Sequence, residues 1–97
     1  MTDIQKLQAV IKQLHGCEAL HVSTIPVHEQ FQGKTVWSGD VELFDVQGHP
    51  KAKRCYAWSY LDDAKVQQFT TVLELPPVTS AQSAVKADIV ARFKNEN

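Results

Sequence analysis

Tyr56, Trp58 and Tyr60 occupy alternate positions of the stretch RCYAWSY, residues 54 to 60, with Arg54 at its head. In an extended chain that spacing puts all four on one side and Cys55, Ala57 and Ser59 on the other. Flat aromatics supply contact area, and a few polar groups orient whatever binds. Asp40, Glu42 and His21 are the polar groups expected to share the surface. The chemistry implied is a binding platform, for a small molecule or a second copy of the chain. Nothing points as clearly to catalysis: the chain has no glycine-rich phosphate loop, no GxSxG and no HExxH.

Other reactive side chains read as structure. His15, Cys17 and His21 are close in sequence, but the spacing matches no zinc pattern and a fourth ligand is not evident. Neither a metal nor a cofactor is expected. Cys55 as a nucleophile needs a base and a lowered pKa; on a core face it has neither, so it reads as packing. Lys51, Lys53 and Arg54 beside Tyr56 and Trp58 have the makings of a stacking platform for single-stranded nucleic acid. Three cations on a chain of net charge −1, near Asp40 and Glu42, fit a solvated strand edge better. Nucleic acid is not the expected partner. His28, His49 and Asp62-Asp63 look like edge and turn residues.

These residues need elements to hold them. Ninety-seven residues, 43% hydrophobic and 22% charged, make one globular domain spanning 1–97. The longest apolar runs are a few residues, so no bilayer span is expected. The N-terminus lacks the apolar stretch of a secretion signal. With two cysteines that fit buried thiols, a cytoplasmic location is the default. TDIQKLQAVIKQLHG reads as a helix, capped by Thr2, with Leu7, Ile11 and Leu14 on one stripe and Gly16 as its left-handed end. A second helix follows the proline pair at 76–77, capped by Thr79 or Ser80, with Ala81, Val85, Ile89 and Phe93 inward. Strand-like segments lie between, near 19–29, 35–46, 52–60 and 66–75. Short connectors make them an antiparallel meander.

The register decides where the aromatics point. A two-residue turn at Gln32-Gly33 sets Val22 opposite Leu43, Thr24 opposite Val41 and His28 opposite Trp37. Five-residue loops in the next hairpins set Cys55 opposite Leu43 and Thr71, and Ala57 opposite Val41 and Phe69. One face then carries Leu20, Val22, Trp37, Val41, Leu43, Cys55, Ala57, Phe69, Leu73 and Leu75, a bed for both helices. Tyr56 and Trp58 fall on the other, open face with Arg54, Tyr60, Asp40 and Glu42.

The segment around Gly48, His49, Pro50, Ala52, Arg54 and Tyr56 to Ser59 resembles a family of small, single-domain bacterial proteins of unknown function, over about residues 20 to 92. Small orphan proteins of that kind are sometimes encoded on mobile integron cassettes. The resemblance implies no activity and assigns no role to any residue. The expectation is therefore an α+β two-layer sandwich, αββββα, with both helices on one face. It would be a non-enzymatic, cytoplasmic binding or assembly module that works through the open face as a homodimer. The alternative is a small-molecule-binding protein or minor enzyme with a pocket lined by Tyr56, Trp58, Asp40, Glu42 and Arg54. An RNA-binding module around Lys51, Lys53 and Arg54 is the third.

Overall fold

The computed structural model describes residues 2–96, with the backbone alone for Phe31 and residues 93–96. Helix α1 spans Asp3–His15. Thr2 caps it: its hydroxyl accepts from the Gln5 N–H, and the Gln5 side chain accepts from the Thr2 N–H. Gly16 ends it at φ 69°, where its N–H donates to the Lys12 carbonyl. Leu7 and Ile11 form the buried stripe. Four strands follow, β1 (Glu18–Phe31), β2 (Lys34–Gln47), β3 (Arg54–Leu61) and β4 (Gln67–Leu73), then helix α2 (Ala81–Glu96). The strands form one antiparallel sheet in the order β1-β2-β3-β4. The order αββββα is as expected, and no described helix is long and apolar enough to cross a membrane.

The helices, however, lie on opposite faces. Leu7 and Ile11 of α1 pack with Cys17, Ala19, Phe44, Val46, Cys55 and Ala57. Ala81, Ala84 and Val85 of α2 pack with Val27, Val41, Leu43, Tyr56 and Trp58. The layers are therefore helix, sheet, helix, and the face expected to be open is covered by the chain's own second helix. Tyr56 and Trp58 do point away from Cys55 and α1, as the alternation requires. They are core residues all the same, 3% and 1% exposed.

Two local features displace the expected register. At the first turn, Gln32 (φ 53°) and Gly33 (φ 78°) connect Phe31 to Lys34 as expected. Then Val36 is left out of the ladder, so Glu29 pairs with Trp37, Ile25 with Val41 and Ser23 with Leu43, one residue off. Val22 is left out of the opposite strand, which restores the expected pairing at His21 and Phe44. Between β2 and β3 the loop has one residue more than expected. The His49 ring nitrogen Nδ1 accepts from the backbone N–H groups of Lys51 and Ala52, at 3.0 and 2.8 Å, and holds that longer loop. Leu43 thus pairs with Tyr56, and Phe44 with Cys55. Between β3 and β4 the offset is two residues, Cys55 with Leu73 and Ala57 with Thr71, which leaves the faces unchanged.

The expected core is partly right. Leu7, Ile11, Leu43 and Val85 are buried, and Leu43 packs beneath α2 with Val85 of that helix rather than with α1. Phe69 and Leu73 are half-buried because β4 is an edge strand, and Ile89 because it lies in the second half of α2. Val22 is exposed because it bulges from the ladder, and Leu20 is exposed beside its partner, the exposed Asp45. Ser80 is the cap of α2: its hydroxyl accepts from the Ser83 N–H, and Ser83 returns the bond. The Phe93 side chain, expected inward, lies outside the described residues.

Candidate functional site

A cleft of about 430 Å³ opens beside the buried aromatics, walled by Val36, Trp37, Trp58, Tyr60, Asp88, Ile89 and Arg92. Three elements place these groups. β3 alternation sends Trp58 and Tyr60 to the α2 face, and β2 alternation puts Trp37 on the same face as Val41 and Leu43. One helical turn carries Asp88, Ile89 and Arg92 along the opposite wall. Trp37 meets Trp58 edge to face, with ring centroids 5.6 Å apart.

The rim is charged but internally balanced. The Arg92 guanidinium donates through Nε to Asp88 at 2.8 Å and through Nη2 to the Tyr60 hydroxyl at 2.9 Å and to Thr70 at 3.2 Å. It also sits 4.8 Å above the Tyr60 ring. These contacts lock the rim and leave little net charge there. The Trp58 indole N–H is buried and has no hydrogen-bond partner among the described residues. A buried donor without an acceptor typically costs about 1–3 kcal/mol.

The residues picked out from the sequence do not make one surface. Tyr56, Trp58 and Tyr60 share the α2 face. Tyr56 is sealed away from the cleft: its hydroxyl donates to Glu74, and burial with that carboxylate beside it pushes its pKa up to about 12. Arg54 is exposed at the start of β3, 3.5 Å from Asp45. Glu42 and His21 lie on the α1 face, where His21 Nε2 and Glu42 are 2.9 Å apart and the Thr24 hydroxyl also bonds Glu42. His21 packs edge-on against Phe44, which holds it on that face. Asp40 is exposed further along β2. The pocket expected from Tyr56, Trp58, Asp40, Glu42 and Arg54 is thus divided by the sheet itself, because the longer β2–β3 loop sets acids and aromatics on opposite faces.

The remaining candidates also separate. His15 bonds Thr71 at 2.8 Å, and burial with His49 nearby lowers its pKa. Cys17 is buried, and among the described residues it does not join His15 and His21 in a cluster that could hold a metal ion. Cys55 is a free, fully buried thiol whose pKa burial raises to about 12, which is the opposite of an activated nucleophile. Lys51 and Lys53 are exposed, but the Tyr56 and Trp58 rings beside them are covered by α2, so no base can stack there. Asp62 organises the β3–β4 turn by accepting from the Val66 N–H, the Gln68 side-chain amide and the Ala64 N–H, which hold its carboxyl below the usual range.

Trp37, Asp88, Ile89 and Arg92 were not among the sequence candidates for the site. A signal existed in Asp88 and Arg92, an i,i+4 ion pair flanking an apolar residue on a helix. What it faced depended on which side of the sheet α2 takes. No family model, curated protein or solved structure matches the chain.

Proposed function

We propose that the protein is a non-enzymatic binding module whose ligand is a small, flat, uncharged aromatic molecule carrying a hydrogen-bond acceptor. The observation that carries the reading is the cleft walled by Trp37, Trp58, Tyr60 and Ile89, together with a buried Trp58 indole N–H that has no partner among the described residues. A volume of about 430 Å³ suits a molecule of one to two rings. The ring would pack against the indoles, and its acceptor would satisfy the Trp58 donor once the indole turns that buried N–H toward the cleft. Because Arg92 and Asp88 neutralise each other at the rim, an uncharged ligand enters without leaving a buried charge unpaired. Two reduced, buried thiols support a cytoplasmic setting for this module.

The test compares quinoline with naphthalene, nearly the same shape with and without an acceptor. Quinoline should quench tryptophan fluorescence and raise the melting temperature, and bind about tenfold tighter, the equivalent of about 1.4 kcal/mol. Trp58→Phe should erase that difference, and Ile89→Trp should fill the cleft and abolish both. Equal binding of the two probes would remove the role given to the indole N–H, and no binding of either would remove the ligand site.

A further inference from the structure

The two edges of the sheet are built differently. β1 is defended: Pro26 has no N–H, Val22 bulges from the ladder, and Glu18 and Glu29 place charge along it. β4, with the sequence QQFTTVL, has no charge, no proline and no bulge, and every one of its residues is half-buried. It is the strand of the four without a charged residue.

The pairing with β3 shows which groups of β4 are free. The Glu74 N–H donates to the Arg54 carbonyl at 2.9 Å, so the even-numbered positions of this strand are those bonded to β3. Antiparallel alternation then turns the N–H and C=O groups of Gln67, Phe69 and Thr71 outward. At Leu73, the next outward residue, the carbonyl is already taken by the Leu75 N–H at 2.9 Å. The fully open set is symmetric about Phe69, and nothing among the described residues bonds it.

We infer that β4 is a self-recognition edge. Two copies pair antiparallel about a two-fold axis at Phe69 and join their four-stranded sheets into one. In this register Phe69 meets its own counterpart, Gln67 meets Thr71, and Gln68 meets Thr70. Val66, 54% exposed in the single chain, comes to lie against the half-buried Val72. A two-fold axis brings each strand against its own sequence, so any charge near the centre would face a like charge. A strand free of charge and open symmetrically about one residue suits a second copy better than a foreign peptide. This surface is separate from the cleft, and the inference stands without the ligand reading.

Analytical ultracentrifugation over micromolar to sub-millimolar protein tests it. The wild type should show a concentration-dependent doubling of mass. Thr71→Pro deletes an outward N–H that β3 does not use, and should weaken the dimer at least about tenfold, with circular dichroism confirming the fold. His28→Lys, on β1, should leave the dimer unchanged. Under mild oxidation Phe69→Cys should cross-link two chains, because Cys17 and Cys55 are buried and cannot compete. That measurement decides the matter if Thr71→Pro fails to fold. A wild type monomeric throughout, with no cross-link in Phe69→Cys, would overturn the inference. So would a dimer disrupted by His28→Lys, or β4 binding an added unrelated peptide while never pairing with itself.

Discussion

Replacing Trp58 in two different ways separates its packing from its unpartnered donor. The side chain is 1% exposed and meets Trp37 edge to face. A buried tryptophan removes about 150–250 Å² from water, worth roughly 4–6 kcal/mol at about 25 cal/mol per Å². The β-carbon that remains reduces this, so Trp58→Ala should cost about 3–5 kcal/mol of stability. Trp58→Phe keeps an aromatic ring and loses roughly a third of the area, about 1–2 kcal/mol. It also removes an orphan N–H whose burial costs about 1–3 kcal/mol. The two nearly cancel, and Trp58→Phe should lie within about 1 kcal/mol of the wild type. Urea midpoints at unchanged slope measure both without added ligand. If Trp58→Phe loses as much as Trp58→Ala, the donor is satisfied in solution and its burial carries no unpaired cost. A Trp58→Ala cost below about 1 kcal/mol would mean that α2 does not cover the aromatics.

Other consequences are measured in the same way. Leu43→Ala, at a residue packed under α2, should cost about 2–5 kcal/mol by urea denaturation. Cys55 should resist thiol reagents until the protein unfolds, since burial raises its pKa to about 12 and blocks access; rapid native-state labelling would contradict its place beneath α1. His15 has a pKa lowered in the folded state, so its contribution is present above the unfolded value of about 6.5 and is lost as pH falls through the lower folded value. His15→Gln should flatten that acid limb of a stability–pH profile. Tyr56 has the opposite sign: its stabilisation holds below pH 10.0 and is lost as pH rises toward about 12, a limb that Tyr56→Phe should remove.

Much of the fold could be read from residue patterns, because the signals were local. The Thr2 cap, the Gly16 stop, the Gln32-Gly33 turn and the four strands each depend on a few neighbouring residues. What could not be read were one-residue offsets. Nothing in the composition around Val22 or Val36 distinguishes a bulge from a paired valine, and the extra loop residue depends on one His49 ring accepting two N–H groups. The β2–β3 offset exchanges faces, so the acids were placed beside the aromatics when they lie across the sheet. One clue was available within RCYAWSY itself. Large Tyr56 and Trp58 alternate with small, apolar Cys55 and Ala57, and all four are buried. A strand without a polar face is a strand covered on both sides.

The paired bulges bear on how the length of this chain can vary. Val36 and Val22 are the unpaired residues, and their flanking neighbours already meet partners in consecutive order. Removing either would turn an irregular ladder into a regular one without moving any other side chain across the sheet. Removing a paired residue, such as Val41 or Ile25, would drive one flank of the hairpin out of step and carry its buried residues into solvent. Single-residue deletions are thus accommodated at two points in the long hairpin and resisted between them. Relatives of different length should show their gaps at those valines.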